Sequence, residues 1–305
     1  MPIQALPYIL TLGLLFGSTL VASRFSVGQF DTVNYIAIRL SLAALLHALV
    51  FLFAIKGRRW PRGRELWRRS AVLGIFGTAI PMNAITASLN FQSSGVTAFL
   101  ITLGPVFTIL IAHFYLDDER LNRRNILGIA LALSGAILMV ALGETGLPEV
   151  SEANPLGYLL VLIAMVSASF GTVYARKYMH AMDAFDVGSI RMWVAAAVVL
   201  PASLLLVGFD LSGVDPKGYT ALGWATFAGT FTGMLLSFYI IKRFGATASA
   251  MTAYVIPIFS SVGGVLLLNE TITSGMLAGI VLMLSGVMVI NQRTKNEKKP
   301  AGVQV

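Results

Sequence analysis

The stretch GVTAFLITLGPVFTILIAHFYLDDERLNRRNILGIALALSGAILMV (residues 95–140) has a counterpart in SAMTAYVIPIFSSVGGVLLLNETITSGMLAGIVLMLSGVMVI (residues 249–290). Each is an apolar run carrying a proline, then a short polar turn with a glutamate, then a second apolar run containing Leu-Ser-Gly. Displacing the chain by 152 residues lays Pro105 on Pro257 and Phe107 on Phe259. Upstream, the same displacement lays Arg39 on Arg191, Gly77-Thr78 on Gly229-Thr230 and Met82 on Met234. One residue is then lost, and at 151 Glu119 falls on Glu270, Gly128 on Gly279 and Leu133-Ser134-Gly135 on Leu284-Ser285-Gly286. Self-similarity at a fixed displacement marks a duplicated unit. We read residues 1–146 as the first unit, 147–292 as the second and 293–305 as a basic tail.

Working outward, the apolar runs recur along the whole chain. Of the 305 residues 56% are hydrophobic and 12% charged, against about 45–50% and about 25% in an average soluble domain. A water-soluble fold of this size could not hide so much apolar surface. A bilayer crossing takes about 20 mostly apolar residues per helix. The runs predict ten crossings, near residues 7–22, 34–55, 70–89, 95–116, 126–142, 155–175, 187–207, 219–241, 246–268 and 274–290. They are too long and continuous for the alternating strands of a membrane barrel. The first run has no Lys or Arg before it and no small-residue cleavage site, so it reads as a membrane helix and not a signal peptide. The expected fold is all-α and polytopic. Five helices per unit is an odd number, so the second unit must enter the lipid from the opposite side. An inverted repeat of this kind is a common plan of secondary transporters, with the substrate near the midplane where the halves meet.

Lys and Arg accumulate in cytoplasmic loops. With the N-terminus inside, 18 of the 22 basic residues fall on the cytoplasmic side; Arg24 and Lys217 fall outside, and Arg39 and Arg191 lie within spans. Both termini are thus expected in the cytoplasm of a cell with an inner membrane. The net charge of +8 is accounted for by these loops, KGRRWPRGRELWRR above all, which suit anionic headgroups and leave no case for nucleic acid. Cysteine is absent, which excludes disulfides and thiolate chemistry. His47, His113 and His180 are scattered, so no metal or other cofactor is expected.

In order, spacing and duplication, these residues resemble two tandem EamA-type domains of the drug/metabolite transporter superfamily. The resemblance runs from LGLLFGSTL to GIVLMLSGVMVINQ. LLFGST and ASFGTVY are similar to the opening of helices 1 and 6 in that family, with Phe16 and Phe170 where Trp is commoner, and Arg39 and Arg191 match its arginine in helices 2 and 7. The resemblance implies a cavity surrounded by helices 1, 3, 4, 6, 8 and 9, braced by the others, and export of amino acids, related metabolites or drugs.

Polar side chains inside a span must find partners. Asn83, Thr86 and Asn90 share one face of helix 3, and Thr226, Thr230 and Ser237 one face of helix 8; such a stripe lines a wet cavity or glues two helices. Phe16, Ser18, Thr102, Phe170, Tyr174 and Tyr254 are further cavity candidates. Pro105 and Pro257 free a carbonyl each, as paired hinges or as static kinks. Arg39 and Arg191 lie near span ends, where snorkelling or pairing with Asp31 and Asp186 would neutralise them; gate or structural ion pairs are expected, direct substrate contact being the alternative. Glu119 and Glu270 occupy equivalent turns and are expected to cap the following helices or to bridge the halves.

All 14 acidic residues lie in loops or at span ends. The buried carboxylate that usually couples a pump to protons or sodium is therefore missing, and no phosphate-binding loop is present. The expectation is a non-enzymatic facilitator or weakly proton-coupled exporter of small amphipathic solutes, working as a monomer by alternating access. The rival readings are a sensor or assembly partner without transport, and an intramembrane enzyme, for which the catalytic clusters are lacking.

Overall fold

The computed structural model describes residues 3–116, 121–150, 154–245 and 251–291. Ten apolar helices and no strand occur among the described residues. They are α1 (Leu6–Ser26), α2 (Thr32–Leu52), α3 (Arg64–Ser88), α4 (Ser94–Tyr115), α5 (Arg123–Ala141), α6 (Pro155–Tyr178), α7 (Ala184–Val207), α8 (Pro216–Ile241), α9 (Thr252–Leu268) and α10 (Ser274–Ile290). The first eight are long and apolar enough to cross a membrane; α9 and α10 are shorter. Large apolar side chains stand outward, Leu205 and Leu206 being 83% and 81% exposed, which fits lipid and not water.

Loop residues start the helices. Asp31 accepts from the N–H groups of Val33 and Asn34, Asp183 from those of Phe185 and Asp186, and Asp215 from that of Gly218. Ser93, Asn122 and Asn154 do the same for α4, α5 and α6. Each meets one of the donors that a helix start leaves unpaired. The α3 start lies ahead of the apolar run, because Arg64, Arg68 and Arg69 extend the first turns with Glu65, which takes hydrogen bonds from Arg68 and Arg69.

Packing crosses between the units. α1 lies along α9, α3 along α6, α2 along α7, and α5 along α10. Glycine makes the last of these approaches possible: a Cβ on Gly135 would sit 2.5 Å from the Gly279 carbonyl oxygen, and one on Gly128 2.7 Å from that of Gly286. Without a hydrophobic force between helices in lipid, such close van der Waals contact carries association.

One end of the bundle holds the basic residues of the α2–α3 loop, where Phe51, Trp60, Trp67 and Trp193 form an aromatic cluster. There Arg58 pairs with Asp183 at 2.7 Å and Asp186 at 3.4 Å. Asp186 is thereby committed to Arg58, and Asp31 to its cap. The ion pairs anticipated between these carboxylates and Arg191 and Arg39 are replaced by other contacts.

Candidate functional site

Among the described residues three helices carry a π segment, α3 at Ile75–Ala79, α7 at Ser203–Val207 and α8 at Ala225–Gly233. The first and last contain the duplicated Gly-Thr pairs. In α3 the cause is legible. Pro81 has no N–H and its ring excludes the carbonyl four residues back, that of Gly77; the Ile80 N–H reaches instead to the Ile75 carbonyl. Gly77 is left with a free acceptor, and Arg191 fills it with an Nη2–H donation at 2.8 Å. π turns are frequent where function needs a displaced backbone group.

The duplicated threonines complete the arrangement. Thr78 donates its hydroxyl proton to the Leu73 carbonyl and Thr230 donates to that of Ala225, each five residues back. With the proton spent, the lone pairs face outward. Thr230 accepts from Arg39 Nε at 2.8 Å, and Thr78 accepts from Arg191 Nε at 2.8 Å. The arginine of each unit is thus held by the threonine of the other. Arg39 also donates from Nη1 to Ser23 Oγ at 3.2 Å.

Both guanidiniums line a cavity of about 410 Å³ between the units, with Phe16, Thr19, Ser23, Met82, Thr86, Thr230, Met234, Ser237, Phe238 and Ile256 among its walls. This volume is in the range of small-molecule sites. A cleft of about 380 Å³ beside α4, α5 and α6 is lined by apolar side chains and Tyr158, with no comparable set of polar groups to orient a solute.

Of the residues singled out from sequence, Phe16, Thr86, Thr230 and Ser237 line the cavity. Others turn away. Ser18 donates to the Leu15 carbonyl and accepts from Trp224 Nε1. Asn83 donates to the Ala79 carbonyl and leaves its Oδ1 unpartnered, off the cavity wall; Asn90 binds Thr32. Thr102 donates to the Phe99 carbonyl. Phe170 packs with Phe76, Tyr115 and Tyr174, and Tyr174 also with Tyr178. Tyr254 packs against the apolar cluster that includes Val96 and Leu103. Sixty degrees of helix rotation separates Asn83 from Thr86, and only contact with the neighbouring helices decides which of them faces inward. Thr19, Ser23 and Phe238 escaped the sequence reading, and both arginines, for which ion pairs are the expectation and substrate contact the alternative, line the cavity. The signal that could have found the arginines was the equal displacement of the Arg and Gly-Thr repeats, which a twofold axis pairs crosswise.

The prolines behave differently in the two units. Pro105 follows a turn at Thr102–Leu103 that divides α4, whereas Pro257 is enclosed in the continuous α9. At the end opposite the basic loops, here the acidic end, the N-terminus of α4 is tied to α9. Glu270 accepts from Ser94 N and Ser94 Oγ, both at 2.8 Å, and from Gly95 N at 3.4 Å. Ser260 Oγ donates to the Ser94 carbonyl at 2.9 Å. Glu270 therefore caps a helix of the other unit, not the one that follows it; its hydrogen bonds come from N–H and O–H groups, and the Arg24 guanidinium of the first unit attracts it electrostatically. Its counterpart Glu119 lies outside the described residues.

The profile of the EamA-like transporter family matches residues 4–141 and again residues 155–292. An uncharacterized transporter of Archaeoglobus fulgidus is 26% identical over 90% of this chain and 94% of its own length. The uncharacterized inner membrane transporter YedA of Escherichia coli K12 is 26% identical, over 87% of this chain and 83% of its own. A protein of Salmonella typhimurium LT2 named "Probable amino-acid metabolite efflux pump" is 27% identical over 64% of this chain and 67% of its own length. A solved crystal structure superposes with a TM-score of 0.61 at 18% identity, covering 93% of this chain and 95% of that one, a likeness of fold. The chain is a multi-pass membrane transporter and belongs to the EamA-like transporter family.

Proposed function

We propose that this transporter exports small amphipathic metabolites, amino acids among them, by alternating access around the cavity between its two units. The observation that carries this reading is the cavity itself. It is built from both units at once, its charged groups are held crosswise by Arg39–Thr230 and Arg191–Thr78, and its remaining wall is largely apolar. Rocking one unit against the other would remake those walls while leaving each helix intact. The Glu270 tie supports a closed gate at the acidic end, with the division of α4 before Pro105 as the flexing point. Amino-acid substrates are supported by the name of the Salmonella relative.

Transport is read as facilitated or weakly proton-coupled, since none of the cavity-lining residues is a carboxylate. Orientation follows the basic loops, which would put both termini in the cytoplasm, in a monomer.

The decisive experiment is efflux from proteoliposomes loaded with a mixture of amino acids and read by mass spectrometry. Protein-dependent release of apolar amino acids is expected without an imposed ion gradient. Release that strictly requires a gradient overturns the facilitator reading, and no release of any solute overturns export. Because the chain contains no cysteine, single thiols test orientation: Arg62→Cys should react only from the cytoplasm and Glu149→Cys only from outside.

A further inference from the structure

Two guanidiniums share one cavity whose other lining residues are all uncharged. The partners of Arg39 are the hydroxyls of Thr230 and Ser23, with Tyr35 beside them; those of Arg191 are the Thr78 hydroxyl and the Gly77 carbonyl. All are neutral. Each guanidinium carries five N–H donors, more than these partners accept.

The described carboxylates are all engaged elsewhere or exposed. Asp31 and Asp215 cap helices, Glu65 takes Arg68 and Arg69, and Asp183 and Asp186 take Arg58. Glu144 accepts from Thr273, Asp210 from the Ser212 N–H, and Glu270 from Ser94. Glu149 stands exposed in the loop after α5. Among the described residues no acidic side chain therefore neutralises the cavity.

We infer that the transported solute supplies the missing charge: the cavity selects substrates that carry a carboxylate, bound by the Arg39 or Arg191 guanidinium, with an apolar body against Phe16, Met82, Met234 and Phe238. This inference rests on the transport reading above and narrows its substrate class. Planar guanidinium and planar carboxylate match as a two-pronged pair, whereas the flexible ammonium of an amine would meet two like charges. The crosswise arrangement gives each unit one such fork, so the carboxylate finds an equivalent guanidinium whichever unit moves.

The test is binding to the purified full-length protein in detergent micelles by phenylalanine, 3-phenylpropanoate and 2-phenylethylamine. These share the phenyl body and differ in which charged group they keep. Thermal stabilisation titrated with each compound should show phenylalanine and 3-phenylpropanoate binding at least about tenfold more tightly than the amine, the value of one charge-assisted hydrogen bond. Arg39→Gln and Arg191→Gln should each weaken the carboxylates by about tenfold or more, and Arg39→Lys should recover part of the loss. The comparison of acid with amine needs no variant, so a misfolded arginine variant does not spoil it. Equal binding of the amine and the acids overturns the inference, as does carboxylate binding unchanged in both Gln variants. Absence of binding by all three compounds also overturns it. In each of these cases, protein-dependent release of any amino acid in the proteoliposome efflux experiment leaves the transport reading standing.

Discussion

Replacing Glu270 with Gln should open the acidic end of the transporter. The carboxylate is 5% exposed and accepts two hydrogen bonds of 2.8 Å from Ser94 and one of 3.4 Å from Gly95. A hydrogen bond to a charged group contributes about 1.5–3 kcal/mol, and a negative charge at a helix N-terminus about 0.3–1 kcal/mol more. The amide keeps one acceptor oxygen, loses the charge and turns an NH₂ toward donors. The net loss is about one charge-assisted bond plus the helix-end term, roughly 2–4 kcal/mol. At 1.4 kcal/mol per factor of ten, the open fraction should rise by roughly 30- to 700-fold. The reporter is Ser261→Cys, whose native hydroxyl is buried without a hydrogen-bond partner where α9 meets Gly95. Its reaction rate with an impermeant maleimide added at the acidic end follows the open population when opening is fast relative to labelling. A thiol at Ser189, buried beside His47 near the other end, should stay protected, which separates gating from unfolding. Equal labelling rates at residue 261 with and without Glu270→Gln would refute the gate.

Three further outcomes are expected. Thr230→Val removes the acceptor of Arg39 Nε and strands a buried donor, costing about 1–3 kcal/mol; thermal unfolding should show a lower midpoint, and Thr78→Val should act likewise but more mildly, because the Gly77 carbonyl still holds Arg191 at 2.8 Å whereas Arg39 keeps only the longer 3.2 Å bond to Ser23. Gly135→Val would drive a side chain into the Gly279 backbone, an overpacking of roughly 1–3 kcal/mol or more, visible as easier separation of α5 from α10 in denaturant titration with paired fluorophores. The tie between the α2–α3 loop and α7 should fail in acid. Burial alone would raise the Asp183 carboxyl, but the hydrogen bond from Arg58 and the N–H groups of Asp186 and Phe185 outweigh it and hold the group below its ordinary value. A carboxyl lowered on folding stabilises above its unfolded value, about 3.9, and that contribution disappears as pH falls through the folded one. Proteolysis of the loop near Arg62 should therefore be slow above about pH 4 and accelerate below it, and Asp183→Asn should remove much of that dependence.

Much of this molecule was already decided by composition and order along the chain. In lipid each crossing must satisfy its own backbone, so the length and apolarity of each run are local properties, and the ten helices lie within a few residues of the expected runs apart from the early start of α3 and the start of α9, which is expected at residue 246 and described from Thr252, residues 246–250 lying outside the described residues. The duplicated order of motifs was equally local, and it carried the family resemblance. What only the tertiary structure decided was direction. A polar residue on a membrane helix faces a cavity, a neighbour or its own backbone according to how that helix is rotated, and rotation is set by contacts between segments far apart in the chain. Ser18 thus bonds its own helix and Trp224 of α8, Asn83 bonds its own helix, and Thr86 lines the cavity. From sequence Arg39 and Arg191 are charges near span ends, because their partners, Thr230 and Thr78, lie 191 and 113 residues away. The π turn that presents Thr78 follows from Pro81 close by in the chain, whereas the one that presents Thr230 has no such proline, and the carboxylate of Glu270 reaches the start of α4 only because the two units fold against each other from opposite sides.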